Sequence, residues 1–151
     1  MPLKNYTTKV SAERTAADII VLLTTKGARE ILMEYDDENH ISALSFRVET
    51  PRGKLTFRLP VNVEAVRRTL SHQWGQGQGV ERRQASPDHA RNVAWRILKD
   101  WVEAQMALLE TEMVEMEQIF LPYMQVERDR SLYELMVETN FQVALPEGRT
   151  A

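Results

Sequence analysis

An α+β fold is predicted for this 151-residue chain by three observations. Three short segments between Arg29 and Pro60 alternate apolar and polar residues, the period-2 mark of strands with one buried face. Segments of helical periodicity flank them on both sides. Turn residues join the strands directly, so the sheet is an antiparallel meander with one dry and one wet face. The predicted order is helix, three-stranded antiparallel sheet, short helix, then a long C-terminal helix and a short helix. Oligomerisation is expected through the long helix.

The first helix runs from about Ala12 to Lys26. Ser11 suits the N-cap, and Arg14 stands where a capping box would need Glu. Ile19, Leu22 and Leu23, with Ala16, form one apolar face, and Gly27 supplies the C′ position. In Arg29–Asp36, Ile31, Met33 and Tyr35 alternate with Glu30 and Glu34, while Leu32 blurs the pattern. In Ile41–Thr50, Ser42, Leu44, Phe46 and Val48 point one way; Ala43, Ser45, Arg47 and Glu49 point the other. In Lys54–Pro60, Leu55, Phe57 and Leu59 face the core while Lys54, Thr56 and Arg58 face out. The turns are Asp37-Glu38-Asn39-His40 and Thr50-Pro51-Arg52-Gly53. Arg47, Lys54 and Arg58 are expected to share the wet face.

Asn62 caps a short helix through about Leu70, with Val63, Val66 and Leu70 as its buried stripe. Gly75, Gly77 and Gly79 then fall at alternate positions, which no helix sustains, so residues 71–86 are predicted to be a mobile loop. It divides an αβββα half (1–70) from a helical half (87–140) of one domain, with an irregular tail at 141–151. Ser86-Pro87 is an N-cap followed by Pro at N1. No Gly or Pro follows until Pro122, which predicts about 34 helical residues, near 50 Å. Val93, Ile97, Trp101, Leu108 and Val114 lie on one side; Trp95, Leu98, Val102, Leu109, Met113, Met116 and Phe120 spread onto others. That spread predicts packing against both the sheet and another subunit. Trp101, Leu108, Leu109, Met113, Met116 and Phe120 are the residues expected in the core or at that interface. Tyr123-Met124 leads into a turn, and Ser131–Glu138, with Leu132, Leu135 and Met136, is the final short helix.

Composition narrows the classes. An apolar content of 43% and a charged content of 27% are those of a soluble globular protein long enough to bury a core. The absence of Cys excludes disulfides, thiolate metal sites and cysteine nucleophiles. Met1–Thr8 has no apolar stretch of the kind a signal peptide needs, and no run approaches the ~20 residues that span a bilayer. A cytoplasmic location is expected.

Charge is partitioned along the chain. From Arg52 to Lys99, ten bases face Glu64, Glu81 and Asp88, a balance of +7. From Asp100 onward, eleven carboxylates face Arg128, Arg130 and Arg149, a balance of −8. Two readings of the basic middle stand side by side. In one it is a phosphate-binding surface made of Arg47, Lys54, Arg58, Arg67, Arg68, Arg82, Arg83, Arg91 and Arg96, with Lys99 nearby, because Arg contacts phosphate oxygens bidentately. In the other the bases pair with the acidic half. Trp74, beside His72 and upstream of Arg82-Arg83, either stacks on an unpaired base or anchors the loop on the core. Gln-Gly-Gln-Gly lacks the Gly-Lys-Ser/Thr of a phosphate loop.

Glu34, Asp36, Asp37 and Glu38 crowd one turn with His40, without the Asp-x-Asp-x-Asp-Gly spacing of a calcium loop. Glu112 and Glu115 are not followed by the His of a di-iron bundle. His40, His72 and His89 are scattered, and no Gly-x-Ser-x-Gly, His-Glu-x-x-His or kinase set occurs. No catalytic residues, metal or cofactor are therefore expected.

Asn5-Tyr6-Thr7-Thr8, Ser45-Phe46-Arg47, Phe57-Arg58-Leu59-Pro60, the stretch Ala94-Trp95-Arg96-Ile97-Leu98-Lys99-Asp100-Trp101-Val102-Glu103-Ala104-Gln105 and Phe120-Leu121-Pro122-Tyr123-Met124 resemble a family of small uncharacterised proteins of bacteriophage and prophage genomes. The resemblance covers most of the chain, is most specific at Trp95–Trp101, and implies a phage context in a bacterial host cell with no established activity. The αβββα order is also similar to double-stranded RNA-binding domains, without their Lys-rich second-helix start. The expectation is a non-enzymatic, homo-oligomeric phage accessory protein that binds single-stranded or structured nucleic acid through its Arg-rich middle. The alternatives are an anti-defence sponge for a cyclic nucleotide or cyclic ADP-ribose-type signal, and a protein-binding inhibitor of a host factor.

Overall fold

In the computed structural model, which describes residues 1–127 and 129–144, two long helices lie side by side and parallel. Helix α1 spans Ala12–Thr25 and α3 spans Pro87–Glu110. Three links run along them in the same order. The N–H of Ala12 donates to Asn92 Oδ1, Lys99 Nζ sits 3.3 Å from Asp18, and Lys26 Nζ sits 3.8 Å from Glu110. Their apolar faces, with Ala16, Ile19 and Leu23 on one and Trp95, Leu98, Val102 and Met106 on the other, fill the main core.

That core is closed by the inner face of an antiparallel sheet with strand order β1–β2–β3: Glu30–Tyr35, Ile41–Thr50 and Gly53–Arg58. Leu44, Phe46, Val48 and Phe57 point inward as predicted. Ser42 and Tyr35, predicted to join them, are exposed. The ladder slips between Glu34 and Tyr35, so that Tyr35 faces Ile41 and Ser42 is the extra residue of a bulge. Ile41 is buried instead.

Helix α2, Val63–Gly75, starts at the predicted cap, with Asn62 Oδ1 accepting the N–H of Ala65. It runs about a turn beyond the predicted end at Leu70, and so takes Trp74 and Gly75 out of the expected loop. Gln73 accounts for the extension: its side chain accepts the N–H of Leu3 and donates to the Met1 carbonyl. The rest of the expected mobile loop is also held. Val80 is buried in a second core with Leu70, Ala90 and Val93, against Leu3 and Tyr6. Gln84 is buried in a 3-10 turn, Arg82–Ala85, whose side chain accepts the N–H of Glu81.

The predicted 34-residue helix is broken. After 24 residues it stops at Glu110; Glu112 takes a left-handed φ of 59°, and the N–H of Met113 donates to Leu108 O. Glu115 and Gln118 then form a reciprocal capping box that starts α4, Met116–Phe120. The turn lets the chain fold back and bury Phe120, which is 0% exposed, against Phe46, Phe57 and Trp101. Of the six residues expected in the core or at an interface, most lie in or on the chain's own core. Phe120 belongs to the chain's own core, and Trp101, Leu109 and Met116 pack on that core. Leu108 is half-buried, and Met113 alone of the six is open to solvent, at 69%.

Beyond α4, a 3-10 turn (Leu121–Tyr123) leads to a small hairpin that the sequence reading missed, β4 (Gln125–Glu127) with β5 (Arg130–Ser131). Met124 bridges to Phe57, so this hairpin borders the β3 side of the main sheet. Helix α5 spans Leu132–Glu138 behind its Ser131 cap, and a 3-10 turn follows at Gln142–Ala144. The remainder of the tail expected at 141–151 lies outside the described residues. No helix among those described is long and apolar enough to cross a membrane.

Candidate nucleic-acid interface

Strand register decides what the bases of the sheet can do. On the outer face Arg47 stands opposite Glu30 on β1 and Thr56 on β3. Its guanidinium accordingly donates to Glu30 Oε2 at 2.8 Å and to Thr56 Oγ1 at 3.0 Å. Arg58 donates to Glu34, and Lys54 lies 3.9 Å from Glu30 and 3.8 Å from Glu49. Three bases thus meet three carboxylates. A hollow of about 600 Å³ lies over this face, open to solvent and lined by the Arg47–Glu30 and Arg58–Glu34 pairs together with Leu32, Gln125 and Asp129.

Elsewhere pairing is local too. Glu64 accepts two hydrogen bonds from Arg67, at 2.9 and 2.7 Å. Those bonds hold the Glu64 carboxyl below its ordinary range and raise Arg67. Arg83 donates to Glu81 at 2.7 Å and Arg91 to Asp88 at 3.0 Å; the Arg91 side chain is mostly buried. Lys99 is spent between Asp18 and Glu103. Glu103 is the acidic-half partner found for a base of the middle segment; the others are carboxylates that precede Asp100. Exposed ion pairs of this kind stabilise little, about 0–1 kcal/mol, but each removes a positive charge from what a ligand meets.

Among the described residues of the basic middle, Arg52, Arg68, Arg82 and Arg96 have no carboxylate within ion-pair distance. Arg52 lies apart, in the β2–β3 turn beside Glu115 and Glu117. Arg96 is half-buried on α3, where it adds to the pull on Asp100. Arg68 and Arg82 are exposed, on α2 and on the 3-10 turn that packs against it. Trp74 completes this corner. It sits in the last turn of α2 with 45% of its surface exposed, so it does not anchor the loop on the core. Seven residues separate Arg67 from Trp74, which stacks them on one side of the helix about 10 Å apart. Exposed His72 lies between them in the chain.

The structure therefore separates the ten expected site residues. Arg67, Arg68 and Trp74 lie on α2 and Arg82 and Arg83 on the 3-10 turn packed against it, together the α2 corner. Arg47, Lys54 and Arg58 form a neutralised sheet face, and Arg91 and Arg96 lie on α3. What the sequence reading missed was the role of Glu30 and Glu34, whose alternation along β1 already put both carboxylates on the wet face.

The acidic turn serves its own backbone. Asp36 Oδ1 accepts the N–H groups of Glu38 and His40, both at 2.9 Å. The His40 N–H is the main reason its carboxyl lies below the ordinary value. Among the described residues no three His, Asp or Glu side chains converge as metal ligands would. Comparison with protein-family models, with curated proteins and with solved structures yields no match.

Proposed function

We propose that this chain is a non-enzymatic accessory module, of phage context as the resemblance implies, that binds single-stranded nucleic acid at the α2 corner. One observation carries the reading: an exposed indole, Trp74, shares helix α2 with exposed Arg68, and exposed Arg82 lies on the 3-10 turn packed against that helix, neither arginine being neutralised by a carboxylate. Arg68 and Arg82 contact backbone phosphates, with Arg67 and Arg83 recruited by exchange of their carboxylate partners. Trp74 stacks on a base, a contact that tolerates any sequence because every base has a π-face. A single strand is favoured over a duplex because a paired base offers no free face to the indole. An enclosed site for a small cyclic nucleotide is less well supported, since the hollow over the sheet is open and lined by ion pairs.

The test is fluorescence anisotropy of a labelled oligothymidylate at low salt, with a matching duplex as control. The single strand should bind more tightly than the duplex. Trp74→Ala should weaken binding by about 1–3 kcal/mol, roughly 5-fold to 150-fold. Arg68→Ala with Arg82→Ala should weaken it further, without lowering the melting temperature. No binding of either form at low salt would end the reading.

A further inference from the structure

The main sheet is bordered on one side and open on the other. Beyond β3, Met124 of the small hairpin bridges to Phe57. The other edge is β1, which among the described residues pairs with β2 alone. Alternation says which of its backbone groups that leaves over. The N–H of Asp36 donates to His40 O, on the β2 side, at 2.9 Å. Tyr35, Met33 and Ile31 therefore direct their N–H and C=O groups away from β2. Exposed edges are ordinarily guarded by Lys, by Pro or by a bulge in the edge strand itself. β1 has neither Lys nor Pro, and the bulge falls on β2, at Ser42. It offers Leu32 at 60% exposure and Tyr35 at 55%.

Charge at the two ends of β1 says what completes this edge. Arg29, just before the strand, and Asp37, just after it, are both exposed, and among the described residues neither has an ion-pair partner. The cap of the β1–β2 turn is Asp36, so Asp37 is not spent there. A strand with a base before it and an acid after it is complementary to itself when run antiparallel, because each end meets the opposite end of its mate.

The backbone selects the same arrangement. Only the register centred on Met33 pairs all the outward groups: Met33 faces Met33 of the second copy, and Ile31 faces its Tyr35. That register brings Arg29 opposite Asp37 of the second copy. On the outer face it sets Glu30 against Asp36. Glu30 is held between Arg47 and Lys54, and Asp36 by the N–H groups of its own turn, so both carboxylates are compensated. We propose that β1 pairs antiparallel with β1 of a second copy about a twofold axis at Met33, joining two sheets into one. The interface uses a sheet edge and leaves the α2 corner out.

The test is sedimentation velocity of the full chain over a concentration series. The wild type should dimerise. Arg29→Glu and Asp37→Arg each set like charges opposite one another at both ends of the interface. Each should raise the dimer dissociation constant about tenfold or more, and both together in one chain should restore it. Both positions are exposed, so the melting temperatures should hold. Cross-linking checks the axis. The chain has no Cys. Met33→Cys places the new thiol opposite its own copy, at a Cα separation of about 5.5 Å that a disulfide can bridge. Mild oxidation should trap that dimer, whereas Val21→Cys, 63% exposed on α1, should stay uncrosslinked. A wild type that remains monomeric throughout would overturn the proposal and leave the edge to a strand of another protein. So would a dimer that Arg29→Glu does not weaken, or equal trapping of the two Cys variants, because assembly would then use another surface.

Discussion

Asn92, one turn into α3, caps a different helix: its Oδ1 accepts the N–H of Ala12, the first residue of α1, at 2.9 Å. Ser11 takes the N–H of Arg14 in the same turn. Two of the four orphan N–H groups at the start of α1 are therefore met, one locally and one from 80 residues away. The link fixes where α1 begins along α3. The Asp18–Lys99 and Lys26–Glu110 pairs then continue in register, and the two helices together present one apolar surface to the sheet.

Asn92→Ala should accordingly destabilise the fold. It leaves the fully buried Ala12 with an unpaired N–H, a loss of about 1–3 kcal/mol. For a chain of this size that lowers the melting temperature by roughly 2–4 °C per kcal/mol. Asn92→Asp keeps an acceptor and places negative charge at a helix N-terminus, so it should melt close to wild type. Equal melting temperatures for the Ala and Asp variants, read by circular dichroism, would show that the cross-helix cap contributes nothing.

Asp100 ties the N-terminal segment to α3 and should make that tie acid-labile. It accepts a hydrogen bond from Asn5 Nδ2 at 2.8 Å and lies 3.3 Å from Lys4 Nζ. Burial pushes its pKa up, but the hydrogen bonds from Asn5 and Lys4, with the nearby charges of Lys4 and Arg96, outweigh burial and leave it lowered. A carboxyl lowered in the folded state contributes its full stability above the unfolded pKa of about 3.9, and that contribution is lost as pH falls through the lowered value. Asp100→Asn should therefore be less stable than wild type to urea at neutral pH, and the gap should close in strong acid. A gap of constant size across that range would refute the assignment.

Phe120 separates a core role from an interface role. Its ring centroid lies 5.1 Å from Phe46, 5.9 Å from Phe57 and 5.5 Å from Trp101. Phe120→Ala should cost about 3–5 kcal/mol, as removal of a wholly buried ring does. Met113→Ala, at the exposed turn, should cost less than about 0.5 kcal/mol. Urea unfolding of both variants checks the pair. If Phe120→Ala were to change the sedimentation coefficient while keeping wild-type stability, the residue would face another subunit.

Local signals were legible and long-range ones were not. Ser11, Asn62 and Ser86 read correctly as caps because a cap is a bond within three residues, while Ser131, read as the first residue of the last helix, is its cap. The bounds of β2 also followed from alternation and its flanking turns. The break at Thr111 was hidden because neither Gly nor Pro marks it. Its cause is the burial of Phe120 among Phe46, Phe57 and Trp101, which no local pattern records. Gly75 misled in the other direction, since a helix held by Leu70 and Gln73 tolerates glycine as its last residue. The bases were plain in the sequence, but their partners were not. Glu30 meets Arg47 only through the register of two strands, and that register depends on the bulge at Ser42. The wide spread of apolar residues between Trp95 and Phe120 predicted packing on the sheet and on another subunit; within the chain those residues pack on α1, the sheet and the folded-back α4.

That pairing map predicts where charge matters for a strand. Arg47→Ala and Arg58→Ala remove bases already neutralised by Glu30 and Glu34, so oligothymidylate affinity should stay within about twofold of wild type. Glu30→Gln with Glu34→Gln does the reverse. It frees two arginines on the sheet, and affinity at low salt should rise. The salt dependence of the wild type follows the same count. With Arg68 and Arg82 alone, or with Arg67 and Arg83 recruited, two to four phosphates are neutralised, at a slope near 0.7 per phosphate. Raising salt fourfold then weakens binding about 7-fold to 50-fold, whereas engagement of all ten bases between Arg52 and Lys99 would weaken it more than about ten-thousandfold. A steep dependence, together with loss of binding in Arg47→Ala, would move the site from the α2 corner to the sheet face.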